Sequence, residues 1–380
     1  MAIVLRGDPT DEGTQPTPYE AWVRKQGVPI VEGYGITDLS EPEVGQWDRL
    51  GCPAYFVILR GMEGITGMYV AEIPAGQATN LEQHLYEKVI YVVKGRGSTT
   101  VEAPNGEPHQ FEWGPGSLFA IPLNAPHRHY ALGERVRFAA FHLAPLVFDL
   151  YYDEDFVYET PHVFRGRFAG EADYFKRDLR HEYEGDTLLG HAASRLWETN
   201  FVHDVRAIME TAEAKNTGLR FVKFELAGNT LIAHLSKYPA GRYLQAHYHA
   251  GGAILLILRS EGYSLMWPNE LGEHPYERGF GDRVVRMDWK PGSVFSPPTG
   301  WFHQHFNTGS VQALQLAVRH GSTKHPFGIW VAQARNEAKT LVTSSRQGGT
   351  MIDYAEEDPA IKRMFEEELA RLAAAAASTA

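Results

Sequence analysis

Two histidines, His247 and His249, stand two residues apart, and on a strand that spacing puts both imidazoles on one face, where they can share one ion. A third, His303, follows some fifty residues later, with His305 two positions beyond it. Three neutral imidazoles suit iron(II), nickel, copper, zinc or manganese and leave two or three coordination positions open. Open positions mean chemistry or ligand binding; the competing reading is a set of satisfied core or surface histidines. His305 is expected in a catalytic, substrate-contacting role rather than as a fourth ligand. Gln245, also expected to be catalytic, and Gln315 read as polar linings of the same cavity, or equally as hydrogen-bonded parts of its wall.

Other chemistries lack their parts. The single cysteine, Cys52, forbids an intrachain disulfide and a cysteine zinc cluster. There is no H-E-x-x-H, G-x-S-x-G, Walker loop or dinucleotide fingerprint. With 36 basic against 47 acidic residues, the formal charge of −11 offers no basic stripe to nucleic acid or to an anionic membrane. A local cationic site for a small anion stays compatible with that balance. The hydrophobic share of 43% and charged share of 22% in 380 residues describe a globular chain of two or three domains. The opening MAIVLRGDPTDEG is not a secretory signal, so a cytoplasmic location is the default expectation.

The elements that must position these histidines come in two copies. WGPGSLFAIPLNAPHRHYALG from Trp113 lines up without gaps on WKPGSVFSPPTGWFHQHFNTG from Trp289, 176 positions later. A second pair of segments, ending at Gly97 and Gly262, lines up at 165 positions. The difference is an eleven-residue insertion between Gly262 and Trp289, where Pro, Gly and charge indicate a surface loop. Each copy reads as short strands between tight turns, expected at 68–73, 89–93, 98–101, 117–121 and 136–143, then at 231–238, 254–258, 264–267, 293–296 and 311–318. Helix is scarce except at the C-terminus, where Asp358 can cap and Pro359 can start one, with its last alanines expected to fray. The acidic, aromatic stretch after the first copy, FDLYYDEDFVYETPHVF, reads as a connector packed on barrel edges.

Both copies resemble cupins, small jelly-roll barrels, and the whole chain resembles a bacterial bicupin. In the second copy Gly241, His247, His249 and Gly262 match most of the first cupin motif, G-x5-H-x-H-x3,4-E-x6-G. Gly292, Pro298, Gly300, His303 and Asn307 match the second, G-x5-P-x-G-x2-H-x3-N. Two features depart: Ala253 stands at the Glu position, and the closing Gly is shifted. The resemblance implies an all-β fold of two cupin (jelly-roll β-barrel) domains in tandem, with a few short helices and a C-terminal helix. The expected divisions are an N-terminal extension 1–54, a first barrel 55–150, a connector 151–219, a second barrel 220–330 and a C-terminal segment 331–380. It also implies that His303 meets His247 and His249 across the barrel.

Loss of the acidic ligand leaves a divalent ion's full charge on the site, which favours a chelating anion such as a catecholate, enolate or hydroxy-carboxylate and leaves room for dioxygen. Three-histidine iron sites with a small residue at this position occur in gentisate-type and diketone-cleaving cupin dioxygenases. The resemblance therefore implies a non-haem iron(II) dioxygenase more than an oxalate decarboxylase. The alternatives are a non-oxidative lyase, isomerase or aminohydrolase using manganese, nickel or zinc, with His305 carrying the proton, and a non-catalytic small-ligand-binding bicupin. In the first copy Glu82, His84 and His127 could build a second site, but Lys88 at the Glu position would set an ammonium beside the ion. An empty, structural barrel is the expectation there. Arg319 and His320, at a strand end, either meet a substrate carboxylate at the barrel mouth or form an ordinary surface pair. Exposed barrel edges suggest a homodimer or homotetramer.

Overall fold

The computed structural model describes residues 15–62, 64–176, 181–186, 191–214, 221–249, 251–322, 324–325, 327 and 342–379. The opening residues 1–14, and 328–341 of the C-terminal segment, lie outside the described residues. The fold is all-β: two cupin barrels in tandem, each a large sheet closed by a smaller one, with short helices and a long C-terminal helix. The first large sheet runs Ile30–Gly33, Cys52–Leu59, Gly67–Ile73, Val136–His142, Lys88–Lys94, Leu118–Ile121 and Phe201–Val202. It faces His127–Ala131, Gly97–Glu102 and Pro108–Trp113. The second orders Phe221–Leu226, Leu231–Tyr238, Ala313–His320, Ala253–Arg259 and Val294–Phe295 against Arg242–Tyr243, Trp301–Asn307, Gly262–Pro268 and Val285–Trp289.

The barrels are interlocked. Gly35–Ile36, from the N-terminal segment, pairs with Val294–Phe295 of the second barrel, while Phe201–Val202, from the connector, pairs with Leu118–Phe119 of the first. Glu87 joins them at the centre: its carboxylate accepts hydrogen bonds from the backbone N–H of Thr230 (3.0 Å) and Leu231 (2.8 Å) and pairs with Arg167. One buried core includes Phe56, Val89 and Phe138 of the first barrel and Leu231, Leu316 and Val318 on the outer face of the second. The other face of that same sheet, with Ala253, Leu255, Ala313 and Ala317, lines the interior of the second barrel.

The acidic aromatic connector is partly helical, as Ala144–Tyr151 and Glu154–Glu159. Phe148 and Tyr158 from these turns pack on Trp22 of the N-terminal helix Pro18–Lys25, whereas Tyr151, Tyr152 and Phe156 stay exposed. The C-terminal helix, Pro359–Thr379, begins where Asp358 caps it and continues through the exposed alanines that were expected to fray. Ile361 and Phe365 cover Tyr243, Tyr263, Phe302 and Phe306 on the outer face of the small sheet. Among the described residues, no helix is long and apolar enough to cross a membrane.

Candidate metal centre

His247 and His303 face each other across a two-way backbone bridge, His247 N to His303 O at 3.1 Å and His303 N to His247 O at 2.9 Å. His249 is tied in by Gly300 N, which donates to its carbonyl at 3.2 Å. The ring of His303 lies 4.4 Å from that of His247 and 4.8 Å from that of His249, centroid to centroid. One ligand atom from each falls within 4.8 Å of the others, a spacing that can hold a metal ion. The three residues singled out from spacing are thus brought together.

What the spacing did not reveal is the state of the rings. Each Nδ1 lies beside a backbone carbonyl: Gln245 O for His247 (3.1 Å), Gly251 O for His249 (3.2 Å) and Trp301 O for His303 (3.1 Å). A carbonyl only accepts, so each Nδ1 carries the proton and each Nε2 keeps the lone pair that a metal requires. Burial, reinforced by His247, His249 and His305, holds His303 well below the usual imidazole range and therefore neutral. Ala253 faces the interior from the larger sheet opposite and brings no carboxylate. The donor set fits a divalent cation with nitrogen preference.

His305 shares the interior but is wired differently. Its Nδ1 meets Ser264 Oγ at 2.8 Å, and Ser264 Oγ accepts from Trp289 Nε1 at 3.1 Å. Since indole only donates, the buried hydroxyl satisfies its own proton by donating it to His305 Nδ1, which assigns the ring proton to Nε2. His305 is therefore a hydrogen-bond donor toward the interior, with Tyr238 stacked on it and Phe295 alongside. Gln245 turns its amide to Asp353 at 3.3 Å, and its carbonyl orients His247; Gln315 binds the Tyr238 hydroxyl. Neither glutamine is shown in contact with the histidine cluster through its side chain.

The first barrel repeats this wiring around different residues. His129 Nδ1 meets Thr99 Oγ1 (2.7 Å), which accepts from Trp113 Nε1 (2.8 Å), the counterpart of the His305–Ser264–Trp289 chain. His84 and His127 are oriented by the carbonyls of Tyr86 and Ala125. Glu82, His127 and His129 offer a second group of ligand atoms within 4.8 Å, with His84 adjoining at 5.2 Å from the His127 ring. Here, however, Lys88 Nζ sits 2.8 Å from Glu82, with neither side chain appreciably exposed. Burial opposes ionisation of Glu82, but the Lys88 ammonium, with His127 and His84, overrides it and holds the carboxyl well below its ordinary range. The two halves of the expected surface pair at 319–320 also separate: Arg319 is on the interior face, while His320 lies on the opposite one.

Residues 69–142 match the family model of the cupin domain. Among solved structures the chain is similar to a variant of Bacillus subtilis oxalate decarboxylase, with 12% identity, 80% of each chain covered and a TM-score of 0.46. It is also similar to Lactobacillus farciminis oxalate decarboxylase in a formate complex, with 12% identity, 85% of this chain and 90% of that one covered, and a TM-score of 0.44. No curated protein matches. The family match falls in the first of the two barrels.

Proposed function

We propose that His247, His249 and His303 hold one divalent metal ion and that the chain is a metal-dependent enzyme acting on a small, anionic, oxygen-bearing substrate. The observation that carries this reading is the set of three Nδ1-to-carbonyl contacts, which leaves each Nε2 with its lone pair, on three rings that each bring a ligand nitrogen within 4.8 Å of the others. When bound, the ion supplies Lewis acidity toward an oxygen anion and, if it is iron(II), reactivity with dioxygen. The chain's own residues do the rest. Gln245, Gly251 and Trp301 orient the ligand rings through their carbonyls. Ala253 leaves the charge of the site uncompensated, so an anionic substrate is favoured over a neutral one. His305 presents Nε2–H to an oxygen of that substrate, while Tyr238 and Phe295 keep water from its ring.

Oxygenative cleavage with iron(II) is the first reading of the reaction. A non-oxidative lyase, isomerase or aminohydrolase is the second, and the ring proton assigned to His305 Nε2 favours it, since proton movement beside a metal is what such reactions require. Plasma mass spectrometry on anaerobically purified protein, with the His303→Ala variant beside it, is the first test. Near-stoichiometric iron that the variant lacks, with iron-dependent oxygen uptake on catechols, hydroxybenzoates or diketones, supports the dioxygenase. Manganese, nickel or zinc without oxygen uptake supports the second reading. Absence of metal after reconstitution overturns both and leaves a ligand-binding bicupin.

A further inference from the structure

The interior wall of the second barrel opposite the three histidines is not apolar along its whole length. Alternation along Ala313–His320 puts Gln315 and Arg319 on the same face as Ala313 and Ala317, which belong to the interior cluster. Lys223 joins them: it stands opposite His234, which shares the face of Tyr238, another interior residue. The register sets Arg319 directly across from Ala253, four residues past His249, with neighbouring strands about 4.8 Å apart. Ala253 brings only a methyl group beside it. In the first barrel the same register pairs Lys88 with His142, so both copies set a basic group there.

Arg319 is an expensive residue to keep in that place. Its Nε is buried with no hydrogen-bond partner, although a guanidinium normally reaches water or a carboxylate. Lys223 shares the recess closely enough to respond to it: burial first, and then the charge of Arg319, push its ammonium down to about 7 against the pull of Glu225. Two cationic groups set against one buried acidic side chain, Glu225, give this recess the opposite sign to a chain whose net charge is −11.

We propose that Arg319 anchors a carboxylate of the substrate, so that the substrate is a small dianion held at one end by the guanidinium and at the other by the metal. A planar carboxylate matches the guanidinium fork, and it would supply the acceptor that the buried Nε lacks. The inference deepens the metal-enzyme reading and rests on it for the second end of the substrate.

The test is calorimetric titration of succinate and of its monoamide, succinamate, into wild type, Arg319→Met and Arg319→Lys, each metal-free and loaded with zinc. Wild type is expected to prefer the dianion by at least about tenfold, Arg319→Met to abolish the preference, and Arg319→Lys to restore part of it. An undiminished preference in Arg319→Met, or no binding of either probe to zinc-loaded wild type, overturns the inference and leaves the metal site standing. If wild type takes up no zinc yet its metal-free form shows the preference and loses it in Arg319→Met, the metal reading fails and the anchor survives.

Discussion

Lys88 and Ala253 occupy equivalent places in the two copies, and the difference between an ammonium and a methyl group separates the chemistry of the barrels. In the first, the Lys88 ammonium paired with Glu82 is a cation already in place among His84, His127 and His129, so a metal ion there is opposed by charge. Lys88→Met leaves Glu82 buried without its partner, which destabilises the metal-free protein by about 3–5 kcal/mol. Zinc should then recover much of that loss by binding at Glu82 and His127, raising the metal content from one toward two per chain. Melting curves with and without zinc, together with metal analysis, check this; a variant indifferent to zinc counts against the surrogate-cation view. A second residue-scale expectation concerns His305. Ring nitrogen-15 shifts should report Nε2–H in the wild type, and Ser264→Ala should release that tautomer while leaving metal content unchanged. The spacing of His247, His249 and His303 was legible because ligand chemistry constrains residue type. The tautomers were not, because the groups that set them are backbone carbonyls that any residue supplies. Arg319 stood out as a charge at a strand end, but its facing inward depended on register.

At the scale of elements, the C-terminal helix shows where sequence reading ends. Its start was readable from Asp358 and Pro359, and strands such as Leu231–Tyr238 fell where alternation placed them. Its packing was not, since the surface it covers is the outer face of strands far away in the chain. The eleven-residue insertion, expected as a mere surface loop, meets this helix: Asp358 accepts from Tyr276 N (2.7 Å), Glu277 N (2.9 Å) and Ala360 N (3.0 Å) while wholly buried. Asp358→Ala strands those donors and should cost about 3 kcal/mol, loosening helix and loop together. Hydrogen exchange should show protection lost at 276–277 and in the first turn of the helix, with the first barrel unaffected. Gly252 makes a comparable point. A Cβ there would overlap the carbonyl oxygen of Gly61, so the turn Arg60–Met62 of the first half packs directly on the strand entry beside His249. Gly252→Ala should therefore lower both stability and metal affinity, whereas Gly106→Ala, whose Cβ meets nothing within 4 Å but whose φ is +83°, should lower stability alone.

At the scale of the whole molecule, the exchanged strands and the Glu87 junction mean that neither barrel completes its sheets from its own repeat, so the chain should unfold in one transition rather than two. The pH dependence of that transition follows from its histidines. Burial, ahead of any neighbouring charge, holds His84 and His129 well below the usual range and pushes His142 down to about 3 and His320 to about 4. All four are neutral in the fold, whereas in the unfolded chain each takes a proton near its ordinary value of about 6.5. Below that value the unfolded state binds more protons than the folded one, so stability falls as pH falls. Each histidine removes about 1.4 kcal/mol per pH unit until its folded value is reached. Above pH 7 both states are neutral at these positions and the effect vanishes. Urea midpoints should therefore be flat from pH 8 to 7 and drop steeply between pH 6 and 4.5, in metal-free and metal-loaded protein alike, because these four rings are not among the three proposed ligands. A midpoint independent of pH across that window would mean that these rings reach water or a proton in the folded state, and would remove the basis for treating the first barrel's interior as dry.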